Sequence, residues 1–440
     1  MKKSLKALFM ASMLPVMMLM AAVTLTSCEG MLDDIFGEWS RPTPETPPKP
    51  VAVTGVTLDK SALMFETGNS GQLVATVSPA DASDVTVSWT SSNPSVASVD
   101  ASGNVKALSK GRATITADSH GFKATCEVTV GILLPNVTAD KEFIDGDIVM
   151  GQLASNVKLT IAAGATITLQ DVTINGVHDG AYDWAGITCA GNATIILKGT
   201  NIVRGFHGFF PGIFIPASHT LTIQGDGKLT ATPFDGGGGT ARGAGIGGGF
   251  YLGGDCGNIV IKDGDITAIG GSFSAGIGGG AENNCGDITI SGGKVTAKGG
   301  SEAAGIGNGC SPNSIDGLSR TCGVITISGG VVKANGGKYG AGIGSGYSGM
   351  SSSNYNKILI SGGTVEAKGG ELAAGIGTGQ GESPNSGPIT ITSGVIQVIA
   401  TRGADPYGFG YYQSIGRGHN TGTLPAITVT IESGANVIQN

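Results

Sequence analysis

Two rhythms of apolar residues follow one another along the chain. From Val51 to Val130, short runs alternate apolar and polar residues between turn signals. Leu73 to Pro79, Val85 to Trp89 and Ala113 to Ala117 each keep a period of two. Such runs predict the half-buried strands of a small antiparallel sandwich. After residue 131 the pattern becomes a repeat. Ala-Gly-Ile recurs at 185–187, 244–246, 275–277, 304–306, 341–343 and 374–376, with degenerate copies at Pro211-Gly212-Ile213 and Gln413-Ser414-Ile415. The isoleucines lie 26 to 39 residues apart. Between them stand an Ile-x-Ile and a Val-x-Ala piece, clearest from Asp287 to Gly300, separated by Gly-Gly or a variable loop.

Three strand-sized pieces per period, with no helical periodicity, predict a parallel β-helix of about eight coils, a rod about 40 Å long at the interstrand spacing of a sheet. A propeller blade would need about 40 residues and four strands. Columns of identical residues suit stacking better. Ile259, Ile288, Ile325, Ile358 and Ile389 are expected to superpose as one interior ladder, and Ile261, Ile290, Ile327, Ile360 and Ile391 as the next. Ala268, Ala297, Ala334 and Ala367 form a small-residue ladder where the tube is narrow. The expected fold class is therefore all-β, a small antiparallel sandwich followed by a parallel β-helix.

Composition sharpens this picture. Of 77 glycines, 69 follow residue 130, without a G-X-Y period, which excludes collagen. Forty per cent apolar residues argue against a disordered linker protein. The glycine pairs are expected to turn corners with positive φ. Alternate glycines of Ala-Gly-Ile-Gly, such as Gly245 and Gly247, are expected to point outward and leave one wall nearly bare. Charged residues make up 13% of the chain and the net charge is −7. With no basic cluster, nucleic acid is not an expected partner.

The N-terminus reads as a targeting segment, residues 1–27. Lys2, Lys3 and Lys6 precede an apolar run from Ala7 to Val23, too short for a membrane span. Leu25-Thr26-Ser27-Cys28 resembles the bacterial lipobox, which implies cleavage before Cys28 and lipid attachment to its thiol. Glu29, Asp33 and Asp34 then resemble the export signals of surface lipoproteins in Bacteroidetes-type Gram-negative bacteria. The resemblance implies an outer-membrane lipoprotein exposed at the cell surface, touching the membrane through the lipid alone. The rest of segment 28–50 is rich in proline, the composition of an extended spacer.

Residues 51–130 resemble the group 2 bacterial immunoglobulin-like domain. Val53-Thr54-Gly55-Val56-Thr57-Leu58, Trp89-Thr90-Ser91-Ser92-Asn93, Val96-Ala97-Ser98-Val99 and Gly103-Asn104-Val105-Lys106-Ala107 carry the resemblance, with Trp89 expected in the core. Segment 131–180 is expected to form a cap or first coil and 181–440 the repeats. The latter resemble glycine-rich β-helical regions of bacterial surface proteins, some of them carbohydrate-binding.

Candidate chemistry is sparse. Cys256, Cys285 and Cys322 share one repeat position, each followed by Gly-x-Ile-x-Ile, and would stack within reach of a disulfide or stand as reduced apolar residues. Cys310 could instead staple the insertion ending at Cys322. Connectivity among these, Cys126 and Cys189 is open. Neither a metal nor another cofactor is expected, because no cysteine pair has Cys-x-x-Cys spacing and only five histidines are present. Polygalacturonase-like catalysis needs clustered aspartates, whereas the outward positions Thr267, Thr296, Lys333, Glu366 and Gln397 include one acid. Arg417-Gly418-His419-Asn420 lacks an acidic partner motif, and Asp263-Gly264-Asp265 reads as a turn. No catalytic residue is assigned. The variable loops carry Phe250, Tyr251, Asn283, Asn284, Asn313, Tyr347, Asn354, Tyr355 and Asn385, aromatic faces and amides of the kind that hold sugars. The sequence reading is thus a non-catalytic module for adhesion to a glycan or host matrix surface, with a β-helix lyase or hydrolase and a purely structural protein as alternatives.

Overall fold

The computed structural model describes residues 49–176, 181–234, 241–250, 254–310, 319–349, 352–410, 412–420 and 424–440. The targeting segment, Cys28 and most of the proline-rich arm lie outside the described residues. The fold is all-β, with one 3-10 turn at Leu134–Asn136.

The N-terminal sandwich packs a four-stranded sheet against a three-stranded one, with a two-stranded ribbon from Gly55–Leu58 and Ala75–Ser78. The long hairpin Gly111–Ser119 with Phe122–Val130 dominates, its alternate residues Ala113, Ile115, Cys126 and Val128 buried in one core. Trp89 is half-buried against that core, and a Cβ on Gly103 would meet its ring at 2.9 Å. One expected strand is shortened. Val85 to Val87 are irregular and pairing begins at Ser88, because Asp84 accepts hydrogen bonds from the Thr86 amide and hydroxyl and holds a turn there.

The sandwich leads into the second core without a spacer. The Gly131 amide donates to the Phe65 carbonyl at 2.8 Å, and a Cβ at Gly131 would stand 2.2 Å from the Ile148 carbonyl oxygen. Lys110 Nζ reaches Asp147 Oδ1 at 2.9 Å, Asn136 donates to Glu66 at 2.9 Å, and Gln170 bonds Thr129.

Beyond Gly131 the chain winds as a parallel β-helix. One ladder holds ten short strands, from Lys141–Phe143 to Ile415–Gly416, so there are ten coils rather than about eight. The first two occupy the segment expected to form a cap or first coil. They lack Gly-Gly because Ile148–Gln152 and Thr166–Ile174 run through the corner that later coils turn with glycine. A register shift after Met150, and Asp171 at φ 53°, take its place. From the third coil each turn has three strands, the Ala-Gly-Ile piece, Ile-x-Ile and Val-x-Ala.

The expected ladders stack in register. Ile259, Ile288, Ile325, Ile358 and Ile389 pair in succession and continue to Val429. Ala268, Ala297, Ala334 and Ala367 continue to Ala400. These side chains belong to one continuous core running from Leu134 to Ile415. Each fully buried isoleucine contributes about 2 to 3 kcal/mol of transfer free energy. A stack of identical residues fills each layer the same way, so that gain recurs coil after coil.

Glycine acts differently from the expectation. Gly293 does turn the corner between the second and third strands at φ 77°. The Ala-Gly-Ile-Gly glycines, however, do not line an outer wall. Gly245, Gly247 and their successors are buried. A Cβ on Gly276 would stand 2.7 Å from the Lys298 nitrogen and 2.8 Å from the Ala268 carbonyl oxygen. The first strand thus lies directly on the end of the third, backbone against backbone, and the tube is flattened where the alternation argument assumed open solvent.

Candidate binding groove

The flattened corner creates a concavity on the surface. Where the third strand ends, Gly299-Gly300, Gly336-Gly337 and Gly369-Gly370 stack from coil to coil and pave a groove of about 810 Å³. Its floor cannot carry side chains. A Cβ on Gly300, Gly337 or Gly370 would come within 1.5 to 1.7 Å of the carbonyl oxygen of the equivalent glycine one coil earlier.

One wall is the last outward position of the third strand. Arg204, Thr232, Ile269, Lys298, Asn335, Lys368 and Thr401 follow one another across the coils. The other wall begins after the glycine pair with Ser272, Ser301 and Lys338, and Pro233 lines the groove directly after Thr232. Among the described residues that line the groove, four are cations and none is a carboxylate. Lys298, Lys338, Lys368 and Arg204 are exposed.

Aromatic residues border this groove near its C-terminal end. Lys338 Nζ sits 4.9 Å above the Tyr339 ring, and Tyr339 lies 5.7 Å from Tyr347. Tyr339 beside Lys338 holds that ammonium more firmly protonated than usual, with smaller contributions from Glu371 and Tyr407. Tyr407 is 66% exposed and Phe409 41%, and Phe409 stacks on His419 at 4.4 Å. One carboxylate shapes their loop. Asp405 accepts the backbone N–H groups of Tyr407, Phe409 and Gly410 at 3.3, 3.0 and 2.8 Å, and these bonds, that of Gly410 foremost, lower its pKa.

The loop residues expected to contact ligand fare unevenly. Phe250 is buried beneath the Arg242 guanidinium, 4.6 Å from its centroid, and against Phe209. Asn354 and Tyr355 are fully buried, because Ser353–Ile360 pairs with Arg320–Ile327 and sets Tyr355 directly on Cys322. These three are interior residues, a correction to the sequence reading. Asn283 is half-buried and its amide donates to Gly249 and Ala281 carbonyls. Asn284 bridges coils, bonding Asp255 on one side and accepting the Thr321 amide on the other. Tyr347 is half-buried against Tyr339, and Asn385 is exposed. Tyr251 and Asn313 lie outside the described residues. The seven described positions therefore do not form one face.

Sequence reasoning missed the groove lysines and Tyr407 with Phe409. The residue before Gly-Gly is a lysine at 298 and 368 but Ile269 and Asn335 in the coils before and between them, and Lys338 follows its glycine pair, so no single repeat position marks the group.

The cysteine column is present. Cys256, Cys285 and Cys322 bridge successive coils, all buried and without a disulfide. Hydrogen bonding to Cys256 and Cys322, with burial, pushes the Cys285 thiol far above its usual range. Cys310 lies 3.2 Å from Glu302 Oε2, and burial raises its pKa.

Catalytic alternatives find little geometry. Asp263 caps its own turn at the Gly264 amide, Asp265 pairs with Lys294, and Glu366 pairs with Lys333 at 3.1 Å. The row through Lys333 and Glu366 continues to Ile399 and Ile438 and does not include Gln397, which lies beside Thr364. Arg417 donates to the carbonyls of Pro425 and Ser383. Among the described residues no group of three or more His, Cys, Asp or Glu side chains is placed to hold a metal.

The chain is similar over 103 residues, at 34% identity, to an uncharacterized protein of Clostridium acetobutylicum, and, also over 103 residues, at 41%, to an α-L-arabinofuranosidase of Bifidobacterium longum. It is 42% identical over 81 residues to a lacto-N-biosidase of Bifidobacterium bifidum. Each match covers 18% to 23% of this chain and spans 25%, 10% and 7% of those proteins. Family models account for both halves of the architecture: residues 52–128 are a bacterial Ig-like domain (group 2), and 259–281, 288–310, 325–347 and 358–380 are β-helix repeats.

Proposed function

We propose that this protein is a cell-surface lipoprotein whose β-helix binds a glycan without cleaving it. The glycine-paved groove with exposed Tyr407 and Phe409 near its end carries the reading. A flat, hydroxyl- and amide-edged trough running along the coils suits an extended polymer, and aromatic faces suit pyranose rings. Segments similar to this chain occur in two proteins named as glycosidases, which supports a modular role beside glycans. In this reading Cys28 carries the lipid, the proline-rich arm is a spacer, and the protein is displayed at the outer membrane.

The test is retention of the full chain on a panel of immobilised plant and host polysaccharides, with product analysis. Retention without new reducing or unsaturated ends is expected. Release of such ends would replace the binding reading with a catalytic one, and absence of retention on every glycan would leave a structural surface protein. For the anchor, Cys28→Ala is expected to abolish palmitate incorporation, and unchanged labelling would refute it.

A further inference from the structure

The charge of the groove runs against that of the chain. The sequence carries 33 acidic and 26 basic residues. The described lining of the groove nevertheless holds Arg204, Lys298, Lys338 and Lys368 with no carboxylate. Elsewhere on the β-helix some lysines are matched, while others, such as Lys228, Lys262 and Lys357, have no ion pair among the described residues. Lys198 pairs with Asp226, Lys294 with Asp265 and Lys333 with Glu366. Among the described residues the side chains of Arg204, Lys298 and Lys368 make no ion pair or hydrogen bond. Lys338 has Glu371 at 3.8 Å. Glu302, on the same turn as Ser301, is directed to the buried Cys310 thiol.

Backbone packing fixes where these cations stand. The Lys298 nitrogen and carbonyl oxygen are both clasped by Gly276, and Gly342 takes the same position against the Lys368 nitrogen. Lys298 and Lys368 are two coils apart, about 10 Å along the groove at sheet spacing. A row of unmatched ammonium groups over a floor without side chains is complementary to a chain that presents an anion at intervals along its length.

The geometry points to an acidic polysaccharide, carrying carboxylate or sulfate groups, as the ligand class of this groove. The inference rests on the glycan-binding reading above and narrows it. Sugar hydroxyls meet Ser272, Ser301 and Asn335, and the anions meet Lys298, Lys368 and Arg204.

Affinity electrophoresis of the full chain tests it, with polygalacturonate as the carboxylate probe, carrageenan as the sulfate probe, a neutral galactan and a DNA oligomer. Polygalacturonate or carrageenan is expected to retard the protein more strongly than galactan, and the preferred one identifies the anion. Retardation should weaken from 0.1 M to 1 M salt as the screening length contracts to about 3 Å. Lys298→Ala with Lys368→Ala should reduce affinity about tenfold, the loss expected for charge-assisted hydrogen bonds. Lys294→Ala, an exposed lysine at the far end of the same strand, should leave it unchanged. Stronger binding to galactan, with the double variant unaffected, would overturn the acidic ligand and leave the glycan reading standing. Equal retardation by DNA would replace the glycan with polyanions in general. No retardation by any glycan would remove both readings.

Discussion

A Cβ added to Gly337 would stand 1.5 Å from the carbonyl oxygen of Gly300, one coil earlier. No rotamer relieves that contact, because both partners are backbone, so Gly337→Ala must push two coils apart. The expected cost is about 3 kcal/mol or more, at the upper end of overpacking. Gly55→Ala, where a Cβ meets nothing within 4 Å, should lie within about 0.5 kcal/mol of wild type. Denaturant unfolding of the two variants measures the difference. Equal stability would mean that the coils are not packed backbone to backbone at this corner.

Tyr355 is fully buried on Cys322, and its hydroxyl has no hydrogen-bond partner. Burial accordingly drives its pKa up. A buried hydroxyl without a partner costs about 1 to 3 kcal/mol, so Tyr355→Phe should be neutral or more stable by about 1 kcal/mol and should retain any glycan as wild type does. A loss of retention with stability intact would return Tyr355 to the ligand site.

These two residues mark what the sequence could and could not disclose. Ile288 and Ala297 announce their ladders because stacking demands the same residue at the same place in each coil. Met150 and Asp171 announce nothing, since a bulge replaces the glycine pair and two coils read as a cap or a single first coil. Gly245 misleads for a physical reason. Alternation tells which way a side chain would point, but not whether another backbone already fills that direction, as Ala231 and Ile269 do here. Tyr355 misleads similarly, since an aromatic in a variable segment looks exposed until its strand is seen to extend the sheet. Lys298 and Lys368 are ordinary strand-end lysines in one dimension. Only the register of the coils gathers them into one wall.

The thiols predict a one-sided pH response. Burial raises Cys189 from 9.0 to about 12, and Cys285 and Cys310 shift the same way. Folded and unfolded chains are both protonated below pH 9, so the thiols do not alter stability there. Above it the unfolded chain releases protons first, and stability falls by about 1.4 kcal/mol per pH unit for each such thiol up to its folded pKa. Urea midpoints should therefore decline between pH 9 and 12, and Cys189→Ala should flatten that decline. Alkylation at pH 8 should leave these three thiols unmodified in the native protein and reach all six buried cysteines after unfolding. Two fewer labels after unfolding would reveal a disulfide, with neighbours in the Cys256, Cys285 and Cys322 column the first suspects.

Asp405 offers a way to separate the aromatic rim from the groove floor. Its carboxylate collects the backbone amides of Tyr407, Phe409 and Gly410 and thereby presents Tyr407 and Phe409 outward. Its hydrogen bonds stay within residues 405–410, so its removal should release the loop without disturbing the coils. Tyr407→Ala should weaken glycan retention about tenfold, the equivalent of 1.4 kcal/mol for one exposed aromatic anchor. Asp405→Ala should approach the same loss although Tyr407 is still present, because an unordered ring must be immobilised when ligand binds. Neither substitution should move the unfolding midpoint. If Asp405→Ala retains glycan fully while Tyr407→Ala does not, the ring binds without needing the loop's geometry; if both retain it fully, the rim is not part of the site and binding lies with the lysine wall alone.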